Sequence, residues 1–386
     1  MIVNFCFKTV ATILCEDGIS SQRLGSLVDE LWGQKRILLV TDTGLVATGL
    51  VAPVADCLNS AGHSVEIFDG VTADPPEAVV RAAAEQAMSQ NCDFILGFGG
   101  GSSLDVAKVV SVLAMGNQKI TDIYGIDQVR GGRLPLVLVP TTAGTGSEVT
   151  SISVITTGET SKNSVISDQL YADIAILDAT LSLNLPSHVT AATGVDAMVH
   201  AIEAYTSKIK KNPVSDALAL KALSLMSQNI VAACGVEDNL DARRAMLLGA
   251  MLAGQAFANA PVAGIHALAY PLGGIFHIPH GHSNALIMPH MMKFNRQVVT
   301  KLYAEIAETF FPKIVGSDDD KATALIDYLE QLPKQLGLET KLSGMGITFE
   351  DLDMLAADAV TYQRLLQHNP REVTVEDARA IYGAAF

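Results

Sequence analysis

The stretch DFILGFGGGSSLDVAKVVSVLAM, residues 93–115, decides the fold. It opens as a short apolar strand, DFILGFGGG (93–101), closes on three glycines, and runs straight into a helical stretch over 102–115. The same unit recurs on both sides. RILLVTD (36–42) reads as a buried parallel strand followed by a helical stretch through Leu58. HSVEIFDG (63–70) is a strand, and PEAVVRAAAEQAMSQ (76–90) is a helix with apolar positions at three-to-four spacing. PLVLVPTT (135–142) and IAILDATL (174–181) supply two more strands. This alternation predicts a Rossmann-like, doubly wound α/β domain with helices on both faces of a mostly parallel sheet.

After Pro186 the texture changes. VTAATGVDAMVHAIEAYTS, SDALALKALSLMSQNIVAACG and LDARRAMLLGAMLAGQAFA are long Ala/Leu/Met-rich helices with no strand runs between them, and helices continue to Tyr382. The expectation is an α/β domain over 1–185 and an all-helical domain over 186–386. With no low-complexity linker, the two are expected to pack together around a catalytic cleft.

The chain's 386 residues are enough for two full cores, and 49% hydrophobic against 17% charged residues describes a globular protein. A formal charge of −15 argues against nucleic acid or an anionic membrane as partner, since both need basic surface. The five cysteines are odd in number, scattered and without a C-x-x-C, which speaks against a disulfide framework or thiolate metal site and for a reducing cytoplasm. The opening MIVNFCFKTVATILCEDG has no basic leading region. Lys8 interrupts its apolar run and no small-residue cleavage site precedes Glu16–Asp17, so it reads as a surface strand pair rather than a signal peptide. No window reaches the roughly 18 uninterrupted apolar residues of a membrane span.

The chemistry gathers in the second half. In GVDAMVH (194–200), inside a helix expected over 188–207, Asp196 and His200 stand four apart and share a face. A carboxylate oxygen and an imidazole nitrogen one turn apart can reach one ion; the plain alternative is a helix-surface pair. His266 in GIHALAYPLGG and His280 in HIPHGHSNA are each bracketed by glycine or proline. Five of the nine histidines (His266, His277, His280, His282, His290) fall within 25 residues, which favours a three-nitrogen, one-oxygen shell with room for a substrate oxygen.

GVDAMVHAIEAY, GIHALAYPLGG and PHGHSNALIMPH, with GGGSSLDVAK and PTTAGTGSEVT, resemble the iron-containing (group III) alcohol dehydrogenase family over nearly the whole chain. The resemblance implies the fold shared with dehydroquinate synthase, a divalent metal on Asp196, His200, His266 and His280, and a nicotinamide cofactor. Gly99-Gly100-Gly101-Ser102 would alone read equally as a tight strand-to-helix turn capped by serine. The resemblance makes it the phosphate-binding loop, with the helix N-terminus facing the diphosphate and Asp105 bracing the first helical turn. It likewise points Thr141, Thr142, Thr145 and Ser147 at the diphosphate and nicotinamide ribose, and Lys162 at a ribose. Asp42, at the end of a strand, would accept from the adenosine ribose and repel the extra phosphate of NADP, or cap the following helix; the cofactor is therefore expected to be NAD. The metal is expected to be Fe²⁺ on the resemblance, although the ligands would also hold Zn²⁺.

Two positions depart from the family. Asp74-Pro75 stands where many relatives carry asparagine-proline, near the cofactor. Tyr270 stands where relatives often carry a histidine four residues after the third ligand; His277 is the available substitute for proton transfer. The expected reaction interconverts a primary or small alcohol with its aldehyde or ketone, in a homodimer or larger homo-oligomer. The rival is a carbon–oxygen lyase of the dehydroquinate synthase type. That class needs a basic cluster for its substrate, and the metal-ligand stretches hold histidines without lysine or arginine.

Overall fold

A computed structural model describes residues 4–158, 161–235 and 239–386, which divide into two units. The α/β unit comprises Thr9–Thr142 and Gly146–Asn184; the helical unit comprises the N-terminal residues through Lys8, the turn Ala143–Thr145, and Leu185–Phe386.

The α/β unit runs β1 (Thr12–Cys15), α1 (Ile19–Gln22), α2 (Leu24–Trp32), β2 (Arg36–Val40), α3 (Thr43–Ala47), α4 (Val51–Ser60), β3 (Ser64–Phe68), α5 (Glu77–Ser89), β4 (Phe94–Gly99), α6 (Gly101–Leu113), β5 (Gly125–Ile126), β6 (Leu136–Pro140), β7 (Ile152–Thr157), β8 (Ser161–Ile166) and β9 (Ile174–Leu177). Six strands form one sheet in the order β1-β9-β6-β4-β2-β3, and every pairing in it is parallel. Its central strands are continuous apolar runs because both faces are covered. Ile37, Leu39, Phe94, Leu96, Phe98, Val137 and Val139 pack with Leu24 and Val28 of α2 and Val54 and Leu58 of α4. On β4, a side chain at Gly97 would lie 2.8 Å from Ala107 Cβ, so that glycine lets α6 sit close on the sheet.

Three expectations change. The opening segment contributes one strand, β1, at a sheet edge, rather than a pair; its partner is β9, near the far end of the unit. The helical stretch after β2 is two helices, broken where Gly49 turns through φ 80°. A second, three-stranded sheet, β5-β8-β7, contains an antiparallel β7–β8 pair that the alternation reading did not contain.

The helical unit contains α7 (Ser187–Thr206), α8 (Pro213–Gly235), α9 (Leu240–Asn259), α10 (Gly264–Phe276), α11 (His280–Phe310), α12 (Asp318–Gln335), α13 (Leu352–Ala359), α14 (Gln363–Leu366) and α15 (Val375–Ala385). α7 is its axis, buried without interruption from Gly194 to Thr206. A side chain at Gly194 would meet Met246 at 2.8 Å and Ile230 at 3.0 Å, so α9 and α8 close tightly on it there. α11 changes direction at Val299, whose backbone leaves the helical region. α8 is long and apolar enough to cross a membrane by length and composition alone. It packs against α7 and α9, and a bundle helix meets that test equally well.

Candidate metal centre and cofactor-binding loops

Three helices of one unit bring the metal candidates together. Asp196 and His200 are buried on α7, His266 stands in the first turn of α10, and His280 is the first residue of α11. One ligand atom from each lies within 4.8 Å of the others. Asp196 Oδ1 is 3.5 Å from His280 Nε2, 3.9 Å from His266 Nε2 and 4.0 Å from His200 Nε2. Four atoms about 2.1 Å from one ion lie about 3.4 Å apart in a tetrahedron, so small rotations close this shell. Gly281 explains how α11 comes so near: a Cβ there would lie 2.3 Å from the Ala192 carbonyl oxygen on α7.

The electrostatics suit a cation. Burial alone would raise the Asp196 carboxyl, but three imidazoles and the Asn284 amide outweigh it and hold it below its ordinary range. Burial draws His200 down and His266 well down, leaving neutral rings with a lone pair to give. Asn284, one turn beyond His280, donates from Nδ2 to Asp196 Oδ1 at 2.6 Å and approaches His266 Nε2 at 3.2 Å and His280 Nε2 at 3.3 Å. Its Oδ1 is buried without a hydrogen-bond partner among the described residues. One amide NH₂ group thus faces three acceptor atoms, at a point whose negative potential fits Fe²⁺ or Zn²⁺.

Behind this layer lies Glu203, which the sequence reading passed over. Its Oε2 accepts from the Ala263 N–H at 2.8 Å and contacts His266 Nδ1 at 2.7 Å, while Oε1 accepts from the Ile265 N–H at 2.6 Å. Burial pushes its carboxyl up to about 7, against the pull of those backbone donors. Glu203 and Asn284 carried one signal: polar residues in the apolar runs AIEAY and SNALIM.

The other histidines of the cluster disperse. His277 is exposed and closes α10 as a left-handed cap with φ 57°; among the described residues it makes no hydrogen bond or ring contact with the four. His282 Nε2 bonds the Glu339 carbonyl at 2.8 Å, and burial lowers His290 to about 4. Tyr270 stays close to the centre, its ring 6.1 Å from that of His280 and edge-on to Tyr362 at 5.2 Å.

Of the cofactor candidates, Asp42, Gly99–Ser102 and Thr141–Thr142 stand at the carboxyl ends of β2, β4 and β6. β3 lies on one side of β2 and β4 on the other, so the strand order reverses there, where open α/β sheets bind ligands. Gly99 takes φ 152°, and a Cβ on it would lie 2.8 Å from Ser103 Oγ and 3.7 Å from Asp42 Oδ2. Gly100 caps α6 with no side-chain bond, leaving the N–H groups of Gly101 and Ser102 for an anion. Asp42 takes the capping part: Oδ1 accepts from the Leu45 N–H at 2.8 Å and caps α3, while Oδ2 lies 3.7 Å from where a Cβ on Gly99 would stand. Thr141 donates its N–H to the Gly99 carbonyl at 3.0 Å, and Thr142 flanks Gly100. Lys162 is paired with Asp74 at 2.6 Å, and Asp74 adopts φ 48°.

Asp105 does not brace the first turn of α6, because the fifth helical position points across at the next loop. Its Oδ1 accepts from Ser147 Oγ at 2.5 Å and its Oδ2 from the Val154 N–H at 2.9 Å. Lys108, wholly buried, donates to the Ile152 carbonyl at 2.7 Å and to Thr150 Oγ1 at 3.0 Å. Burial lowers its ammonium and pushes the neighbouring Glu148 carboxyl up to about 7. This polar network fixes the segment that carries Ser147. Thr145 lies in the part of the loop, Ala143–Thr145, that clusters with the helical unit, where a Cβ on Gly144 would lie 2.7 Å from Thr193 Cβ on α7.

Two family models match the chain, one described as iron-containing alcohol dehydrogenase over residues 11–179, the other as the C-terminal part of the Fe-containing alcohol dehydrogenase family over 190–386. Long-chain-alcohol dehydrogenase 1 of Geobacillus thermodenitrificans is 42% identical over 373 residues, covering 94% of this chain and 93% of its own. The NAD-dependent methanol dehydrogenase of Bacillus methanolicus is 36% identical over 351 residues, covering 90% and 92%. The crystal structure of a 1,3-propanediol oxidoreductase superposes with a TM-score of 0.95 at 35% identity, covering all of both chains.

Proposed function

The chain belongs to the iron-containing alcohol dehydrogenase family, and from that premise we infer how its residues divide the work. It is an NAD-dependent, iron-containing alcohol dehydrogenase that interconverts an alcohol and its carbonyl product by hydride transfer. The rival lyase reading falls, because the relatives are alcohol dehydrogenases.

We assign iron binding to Asp196, His200, His266 and His280, and the convergence of their ligand atoms within 4.8 Å carries that assignment. When bound, Fe²⁺ supplies Lewis acidity towards the substrate oxygen and NAD supplies the hydride acceptor. The chain's own task is placement. Gly99, Gly100, Gly101 and Ser102 present backbone N–H groups to the diphosphate, with Thr141, Thr142, Thr145 and Ser147 beside them. Asp42 receives the adenosine ribose, and its charge disfavours NADP. Lys162, held by Asp74, is aimed at a ribose. Tyr270, with Tyr362 edge-on, forms an aromatic wall beside His280 that shapes the substrate side, and the substrate is a primary or small alcohol or aldehyde.

Two roles compete for His277. Its exposure and its place three residues before His280 support a proton carrier to solvent; its positive φ supports a purely conformational role. Assembly as a homodimer or larger homo-oligomer is part of the same proposal. The thiols of Cys57, Cys92 and Cys234 suit the reducing cytoplasm.

The test is an alcohol and aldehyde panel run with iron-loaded and zinc-loaded protein and both nicotinamide cofactors. NADH should form with iron and a primary alcohol; no turnover in either direction with any pair rejects the activity. His266→Ala and His280→Ala should each lose metal and turnover while the fold survives, and a variant retaining full metal content removes that residue from the shell.

A further inference from the structure

We propose that Glu203 is a positioning residue of the metal centre: it fixes the proton of His266 on Nδ1 and so turns the Nε2 lone pair towards the metal. The proposal rests on the metal-site reading above. It starts from a defect in α10. That helix begins after Pro261-Val262-Ala263, and its N-cap residue, Ala263, has no side chain able to accept from the first turn. Glu203 provides the cap from another helix, one oxygen accepting from Ile265 and the other from Ala263 at 2.6 and 2.8 Å. Both oxygens are thereby held to the backbone on which His266 sits.

The consequence for His266 follows from donor and acceptor chemistry. Both Glu203 oxygens accept from backbone N–H groups, as an ionised carboxylate does, so the ring nitrogen 2.7 Å from Oε2, Nδ1, carries the hydrogen. Nε2 is then bare, and its surroundings agree: the Asn284 amide points a donor at it from 3.2 Å, and Asp196 Oδ1 lies 3.9 Å away. Asp196, His200 and Glu203 stand at i, i+4 and i+7, so one face of α7 carries two ligands and the carboxylate that aims a third. Such a partner fixes both tautomer and ring orientation, and its removal weakens metal binding by about tenfold to a hundredfold.

The experiment uses the full-length protein stripped of metal and titrated with Zn²⁺ against a chromophoric chelator. Glu203→Gln keeps the volume but offers only one acceptor oxygen for the backbone donors and His266 together, and it should bind Zn²⁺ tenfold or more weakly. In a His266→Ala background the same substitution should change affinity less than twofold, because there is no ring left to orient. An undiminished effect there means a general structural role and overturns the proposal. So does unchanged affinity in Glu203→Gln alone. If His266→Ala itself leaves Zn²⁺ binding intact, the metal-site reading is what fails. Should Glu203→Gln not fold, ¹⁵N-histidine spectra of the stripped parent protein at pH 8.5 decide, with His266 assigned by its loss in His266→Ala. A proton on Nδ1 is expected, and one on Nε2 overturns the proposal.

Discussion

Replacing Gly281 by alanine should separate the metal ligands, although alanine is the better helix former. Intrinsic propensity favours alanine by up to about 1 kcal/mol within a helix. Here the new methyl would lie 2.3 Å from the Ala192 carbonyl oxygen and 2.7 Å from its carbon. Ordinary Cβ contacts begin near 3.4 Å, and backbone atoms cannot rotate aside, so α11 has to withdraw from α7 by about 1 Å. Overpacking of this kind costs about 1–3 kcal/mol. The net loss should be about 1–2 kcal/mol, or roughly 2–8 °C in Tm for a unit of this size. The same withdrawal opens the 3.5 Å separation of His280 Nε2 and Asp196 Oδ1. At about 4.5 Å the two no longer reach one ion, since each must approach it to about 2.1 Å. Thermal unfolding of the stripped protein reads the first effect. Zn²⁺ competition reads the second, expected as a tenfold or greater loss. A variant melting at or above the parent temperature with unchanged Zn²⁺ affinity would refute the reasoning.

Stability should fall as pH drops from about 6.5 towards 4, because His290 stays neutral in the fold down to about 4 while the unfolded chain takes up its proton earlier. His290→Gln should flatten that part of a Tm-against-pH curve, and parallel curves would show that His290 contributes nothing. His277→Gly should keep turnover and pH profile and gain up to about 1 kcal/mol if the residue serves only as a left-handed cap. A fall in turnover concentrated near neutral pH would establish the proton carrier instead. Asp42→Asn retains the cap on Leu45 and removes the charge, so the NADP-to-NAD ratio of kcat/KM should rise roughly tenfold, about 1.4 kcal/mol. An unmoved ratio would remove Asp42 from cofactor choice.

The sheet was legible because its strands, RILLV, FILGFG, LVLVP and IAIL, are buried on both faces and leave unbroken apolar runs in the chain. The metal candidates were legible because ligand chemistry restricts residue type, and Asp196 and His200 share a helix face at a fixed spacing. What escaped was whatever depends on a partner distant in the chain. Asp105 reads as a helix brace in the sequence, but the donors to its carboxylate are Ser147 and Val154, 42 and 49 positions on. Glu203 meets His266 across 63 positions; its place in the apolar run AIEAY marks it as buried but does not name its partner. The β7–β8 pair was missed for another reason: ISVITT and SKNSVI are only partly apolar, as strands of a small, half-covered sheet can be.

The division of the chain has a practical consequence for anyone who wishes to take the protein apart. Residues 4–8 cluster with the helical unit, where the Lys8 backbone exchanges two hydrogen bonds of 2.8 Å with the Asn259 side chain. Ala143–Thr145 returns to that unit in the midst of α/β sequence. The polypeptide therefore changes unit four times, at 8/9, 142/143, 145/146 and 184/185. A fragment beginning at 186 lacks the segment that ties off α9, and one ending at 185 carries a turn cut off from its seat on α7. Expressed separately, each should be poorly soluble, and the two should recover structure only when co-expressed. Grafting the helical unit onto another nucleotide-binding domain would require transplanting the Gly144 turn with it, since a single junction cannot carry the whole unit across.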